Sequence, residues 1–160
     1  MKLQIFTTGG TFDKVYYDAL SDFQIGEPMA PEILREAGVT FEWEVEGLTR
    51  KDSLELTDED RELIRSRVAA CPARHILITH GTDTMTKTAD VLHDIPGKVI
   101  VFVGAMQPAR MRNTDAPFNL GFAIGALQVL QDGIYIAMNG RIFEAGKVKK
   151  NRAEGRFEDS

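Results

Sequence analysis

Apolar and polar positions along this chain fall into short runs that predict strand followed by helix, several times over. Residues 2–8 form an apolar-rich run that breaks into Gly9-Gly10-Thr11, the pattern of a buried strand ending in a tight turn. Residues 12–30 carry neither a helical nor a two-residue period. They predict a long loop of the lid or binding type, with Tyr16, Tyr17 and Phe23 to pack on something. Pro31–Ala37 predicts a short helix stopped by Gly38, and Val39–Val45 alternates as a strand with one wet face, followed by a loop over 49–56. Thr57–Ala70 predicts the clearest helix: Thr57 is a good N-cap, three acids crowd its first turn, and Leu63, Ile64 and Val68 mark its buried stripe.

His75–Thr79 is a short apolar run, a central parallel strand, and it ends in His80-Gly81-Thr82-Asp83-Thr84. A helix over 84–93 and a buried strand over Lys98–Val103 follow, the strand ending at Gly104-Ala105-Met106. Then come a polar, basic loop over 107–115, a helix over Phe118–Leu130, a strand over Gly133–Met138 and a candidate short strand over Ile142–Val148. Charged residues 149–160 predict a loop or a frayed tail. This alternation predicts an α/β fold, one domain in three layers, with a mostly parallel sheet and helices on both faces. The helix over 118–130 is apolar almost all the way round, with Gly121 and Gly125 one turn apart. Two readings stay open for it: cover from a partner subunit, or the deepest position in one subunit.

The chain has 160 residues, enough for one domain with a proper core. Its net charge of −5 gives no general attraction to nucleic acid or to an anionic membrane. The single cysteine, Cys71, excludes an intrachain disulfide and fits a reducing compartment. Met1-Lys2-Leu3 runs directly into the first strand without a leader pattern, so the expected location is the cytoplasm.

Three strand ends carry hydroxyl or acid groups: Thr11, then Ser53, then Thr82-Asp83. If those strands are parallel, all three groups meet at one edge of the sheet, where α/β folds bind ligands. Glycines at those ends can offer backbone N–H groups to an anion, so the site suits a small molecule with a carboxylate and a carbonyl to attack. On its own stretch, Gly9-Gly10-Thr11 reads first as a plain strand-to-loop turn, with Thr11 as a candidate nucleophile the second reading. No phosphate-loop or dinucleotide fingerprint is present, and His75, His80 and His93 lack ligand spacing, so neither a metal nor a cofactor is expected. His80 reads as a hydrogen-bonded structural histidine rather than a general base. The basic groups at 147–156 read as a solvated edge, with Lys150 the exception if it folds back to the site.

Thr8-Gly9-Gly10-Thr11, His80-Gly81-Thr82-Asp83-Thr84-Met85, Val103-Gly104-Ala105-Met106-Gln107-Pro108 and Asp115-Ala116-Pro117-Phe118-Asn119-Leu120, with Asp52-Ser53 ahead of the Thr57 helix, resemble ordered blocks of the L-asparaginase family. The match resembles that family's N-terminal domain, with its usual C-terminal domain absent from these 160 residues. The resemblance implies a flavodoxin-like fold and hydrolysis of L-asparagine to L-aspartate and ammonia. It implies Thr11 as nucleophile, helped by Tyr17 or Tyr16, and a second catalytic group of Thr82, Asp83 and Lys150. It implies substrate contacts from Gly10, Asp52, Ser53 and Gly81, with the Ala105 carbonyl near the departing ammonia. It also implies a small-molecule substrate and a homo-oligomer, a dimer or tetramer. Leu54 and Phe23 depart from the polar residue and the tyrosine common in the family. Another amide such as glutamine, and a non-catalytic protein binding aspartate or a similar small acid, are the rival readings.

Overall fold

A computed structural model describes residues 1–160. Six strands form one sheet: β1 (Lys2–Gly9), β4 (Glu42–Lys51), β5 (His75–Thr79), β6 (Val99–Val103), β7 (Gly133–Met138) and β8 (Arg141–Glu144), in the order β4-β1-β5-β6-β7-β8. The first five are mutually parallel, and β8 turns back antiparallel to β7 through Asn139-Gly140, both with positive φ. Such a turn matches the sheet's own twist. Parallel strands of this kind are buried on both faces, which explains the unbroken runs Ile76-Leu77-Ile78 and Val99–Val103, all fully buried.

Each face carries its own core. On one side α1 (Ala30–Glu36) and α4 (Ala116–Leu127) cover Leu3, Ile5, Leu77, Val101 and Ala137. On the other, α2 (Asp58–Ala70) and α3 (Met85–Val91) cover Phe6, Ile76, Ile78, Ile100 and Ile136. The mostly parallel three-layer arrangement is the one the alternating pattern predicts.

The expected α2 is present with its expected cap. The Thr57 side chain accepts from the Asp60 N–H at 3.1 Å, and the Asp60 carboxylate accepts from the Thr57 N–H at 2.9 Å. Its buried stripe differs from the expected one. Leu63 is 42% exposed, and Arg61, 2% exposed, points inward with Ile64 and Val68.

Three other expectations are corrected. Residues 12–30 are not a featureless loop but a hairpin of β2 (Lys14–Tyr17) and β3 (Asp22–Ile25), in which Tyr16 stacks edge-on against its cross-strand partner Phe23 with centroids 5.2 Å apart. Four-residue strands exposed on both faces leave no period to read. The strand expected over Val39–Val45 begins at Glu42 and runs on to Lys51, because it continues to pair with β1 past the bulge between Thr7 and Gly9. The charged C-terminal stretch is not frayed. It is a hairpin of β9 (Val148–Asn151) and β10 (Arg156–Asp159), pinned by Phe157, which is 4% exposed and packs near Phe143. One apolar residue among charges gives no sequence signal, yet it anchors the hairpin.

The outer face of α4 is not covered by this chain: Phe118 is 61% exposed and nothing lies within 4 Å of where a Cβ would sit at Gly121 or Gly125. No helix is long and apolar enough to cross a membrane.

Candidate active site at the carboxyl edge of the sheet

The ends of β4, β1 and β5 are held together by backbone contact. Gly10 has φ +74, and a Cβ there would lie 2.5 Å from both N and Cα of Gly81. A Cβ on Gly81 would lie 2.6 Å from the Cβ of Ser53. Only glycine fits either position. Hydroxyls tie the same ends across the strands: Thr8 Oγ1 donates to the Thr79 carbonyl at 2.8 Å, and Thr49 Oγ1 donates to the Thr8 carbonyl at 2.7 Å. The Gly10 N–H donates to the Lys51 carbonyl at 2.9 Å. Thr11, Ser53 and Thr82 therefore stand on one rigid edge.

Ser53 is 2% exposed; its hydroxyl accepts from the Thr84 N–H at 3.3 Å, and its carbonyl accepts from Thr84 Oγ1 at 2.8 Å. Asp52 accepts from the Leu54 N–H at 3.1 Å and pairs with Lys14 of the β2–β3 hairpin at 3.4 Å. A groove of about 530 Å³ runs between that hairpin and the Asp52 turn, lined in part by Phe23, Ile25 and Arg50.

Thr82 and Asp83 meet Lys150, which the β9–β10 hairpin brings back to the sheet edge. Lys150 Nζ donates to Thr82 Oγ1 at 2.8 Å and to Asp83 Oδ1 at 2.7 Å. Arg152 lies 3.2 Å from the same Asp83 oxygen. Burial alone would raise the Asp83 carboxyl, but the hydrogen bond and charge of Lys150, joined by Arg152, hold it below the usual carboxylate range.

Tyr16 and Tyr17 lie on the hairpin, 48% and 45% exposed. Strand alternation sends them to opposite faces, and Tyr16 shares its face with Phe23. Ala105 is buried, and its loop is fixed by a network that no single motif advertised. The Asp115 carboxylate accepts from the N–H groups of Met106 and Gln107, each at 3.0 Å, and from Asn119 Nδ2 at 2.8 Å. Asn119 Nδ2 also donates to the Gly104 carbonyl at 3.0 Å, and its Oδ1 accepts from the Asn139 N–H at 3.0 Å. Burial works against the Asp115 charge, but those N–H donors hold its carboxyl below the ordinary value. The acid and amide four residues apart, Asp115 and Asn119, were the available signal for it.

His80 is fully buried and occupied on both ring nitrogens. Nδ1 lies 2.7 Å from the Gly81 carbonyl, and Nε2 lies 2.7 Å from Thr88 Oγ1. A carbonyl only accepts, so Nδ1 carries the proton and Thr88 donates to Nε2. Burial pushes the imidazole down to about 4, the Arg61 charge adding to this against the Gly81 hydrogen bond. It is a structural histidine, as its strand-end position suggested. Asp13 is buried at the base of the β2–β3 hairpin and accepts from the Met29 N–H at 3.0 Å. Burial pushes its carboxyl up to about 7, in spite of that bond and the nearby Arg110 and Arg50.

The fold and the sequence both have known relatives. The sequence matches the family described as Asparaginase, N-terminal, over residues 2–157. The chain belongs to the asparaginase family. It is 32% identical to an L-asparaginase of Thermococcus kodakarensis over 97% of this chain and 49% of that protein. It is 34% identical to a glutaminase-asparaginase of Acinetobacter glutaminasificans over 66% of this chain and 32% of that one. Its fold superposes on the thermostable L-asparaginase of T. kodakarensis with a TM-score of 0.86 at 30% identity, covering 99% of this chain and 51% of the other. A probable cytoplasmic L-asparaginase of Campylobacter jejuni follows at 0.80 and 26%, covering 99% and 51%. The chain spans about half the length, or less, of the relatives it matches.

Two predictions follow from the packing and the titrating groups. Gly81→Ala forces a methyl group into Ser53 and should lower unfolding stability by about 1–3 kcal/mol, read from denaturant midpoints. His80, held neutral, contributes stability that is complete above pH 6.5 and is lost as pH falls toward 4. Asp13, held protonated, contributes stability that is complete below pH 3.8 and is lost as pH rises through 7. The two oppose each other over the shared range. Asp13→Asn removes one arm, so its stability should climb with pH by about 3 kcal/mol between pH 4 and 6.5 relative to wild type. Parallel stability curves for the two proteins would contradict the assignment.

Proposed function

We propose that this protein hydrolyses the side-chain amide of L-asparagine to L-aspartate and ammonia, with Thr11 as nucleophile. The carrying observation is the Lys150 ammonium bridging Thr82 Oγ1 and Asp83 Oδ1 on the same sheet edge as Thr11. Such a cluster serves acyl transfer. The Thr11 oxygen attacks the amide carbon, the C–N bond breaks with a proton delivered to nitrogen, and ammonia leaves. Water then cleaves the resulting ester, returning the proton to Thr11 and releasing aspartate. A threonine hydroxyl needs a proton acceptor to react at neutral pH. Tyr17 is the preferred helper, because Tyr16 is engaged with Phe23. The Thr82–Asp83–Lys150 group organises charge beside the reacting carbonyl.

Ser53 and the backbone at Gly10 and Gly81, with Asp52 shaping the loop, bind the substrate's carboxylate end. The Ala105 carbonyl, held by the Asp115–Asn119 network, lies near the departing ammonia. The chemistry calls for no cofactor. The uncovered face of α4 supports assembly of several copies, and the single cysteine suits the cytoplasm. These 160 residues act in this reading as one catalytic domain. Glutamine is the second amide to test, because one relative carries both activities in its name.

Ammonia release from L-asparagine and L-glutamine, assayed across a gel-filtration profile, tests the reading. Activity should peak at a mass above that of one chain. Thr11→Ala should reduce kcat by at least about 10³-fold, and Lys150→Met by roughly 10²–10³-fold. No turnover by the wild type, or undiminished turnover by Thr11→Ala, would contradict it.

A further inference from the structure

Arg61 takes a buried place on α2 beside Ile64 and Val68 while Leu63 faces outward, and its surroundings give a reason for it. Its guanidinium is 2% exposed and lies on neutral groups only. Nη1 donates to the Leu56 carbonyl at 3.0 Å, Nε to Thr88 Oγ1 at 3.1 Å and Nη2 to Thr84 Oγ1 at 2.9 Å. A buried cation is costly unless an anion shares its environment. The acids on the flanking segments pair elsewhere or face solvent: Asp60 pairs with Lys51 and the Thr57 N–H, Asp58 with Lys87, Asp83 with Lys150 and Arg152, and Glu55 is exposed. Glu59 and Glu62 are exposed on the outside of α2.

The contacts lead from Arg61 to the ligand-facing edge in two steps. Thr84, held by Nη2, donates its hydroxyl to the Ser53 carbonyl and its N–H to the Ser53 hydroxyl. The guanidinium therefore sits directly behind the Ser53–Thr84 pair, with its charge uncompensated within the chain. We infer that Arg61 is a positioning residue whose buried charge makes the Ser53–Thr84 pair an anion subsite, selecting substrates that carry a carboxylate next to the amide-bearing arm. The inference rests on the amidohydrolase reading and adds to it a determinant of specificity. The bound carboxylate is the missing counter-ion. The positive charge behind Thr84 and Ser53 favours a negative group there over a neutral one of the same shape.

A purely structural Arg61 would affect every substrate alike. A charged one discriminates, and a second cation at that position restores the discrimination. The test compares wild type, Arg61→Gln and Arg61→Lys with L-asparagine, with L-aspartate as competitor, and with L-asparaginamide, whose α-carboxylate is a neutral amide. Arg61→Gln should raise KM for L-asparagine and the inhibition constant of L-aspartate about tenfold, with kcat within about threefold, and should leave L-asparaginamide kinetics unchanged. Arg61→Lys should keep both constants within about threefold of wild type. Equal losses on the acid and the amide, or an Arg61→Lys as impaired as Arg61→Gln, would overturn the inference while leaving the enzyme reading intact. If Arg61→Gln does not fold, Arg61→Lys decides the point alone, because a role limited to the guanidinium's hydrogen bonds predicts the tenfold loss there too. A wild type that releases no ammonia overturns the enzyme reading separately. NMR-detected binding of L-aspartate then decides the subsite: loss in Arg61→Gln with retention in Arg61→Lys upholds it, and equal binding by all three proteins overturns it.

Discussion

Everything at the functional end of this molecule depends on backbone touching backbone. Three parallel strands release their chains at one edge, and the turns that follow stack so closely that Gly10 meets Gly81 and Gly81 meets the Cβ of Ser53. Side chains at 10 or 81 would hold the turns apart and separate the hydroxyls. The buried threonine bonds from Thr8 and Thr49 lock the same ends from within the sheet. A site made this way has little freedom to deform, which is what positioned hydroxyl chemistry requires.

Around that fixed edge, charge is arranged in layers. At the surface, Asp83 holds Lys150 on Thr82, with Arg152 outside it. Beneath, His80 is kept neutral and serves as a spacer between Thr88 and Gly81. Arg61 reaches the same Thr88 and also Thr84, so a buried histidine and a buried arginine share one hydroxyl network below the site. Their proximity is itself a reason the histidine stays uncharged. On the far side, Asp115 and Asn119 perform for the Gly104–Gln107 loop what Thr84 performs for Ser53: they fix a backbone that has no regular structure of its own.

Much of this was legible in the sequence. Apolar runs of three to five residues marked β5, β6 and β7, because parallel strands are buried on both faces. Thr57 and the acids after it marked the start of α2. The strand ends bearing Thr11, Ser53 and Thr82-Asp83 marked the edge, because hydroxyl and acid groups at the ends of parallel strands converge there. The illegible parts share a cause. The β2–β3 hairpin that carries Tyr16 and Tyr17, and the β9–β10 hairpin that delivers Lys150, are pairs of four-residue strands, the first closed on itself by Tyr16 and Phe23 and the second anchored by Phe157 near Phe143. Local pattern contains nothing of such pairings. The burial of Arg61 left no sequence signal for a different reason: a charged residue on a helix ordinarily faces water, and here the hydroxyls of Thr84 and Thr88 draw it inward.

If the ends of β1, β4 and β5, with Lys150, form one ligand site, a crystal structure of this chain with L-aspartate should hold one aspartate there. One carboxylate should lie against Ser53 and Thr84 and the other within hydrogen-bond reach of Thr11 and Thr82, with the three strand ends unmoved. Aspartate bound elsewhere on the molecule, or strand ends that separate to admit it, would show that these groups do not make one site.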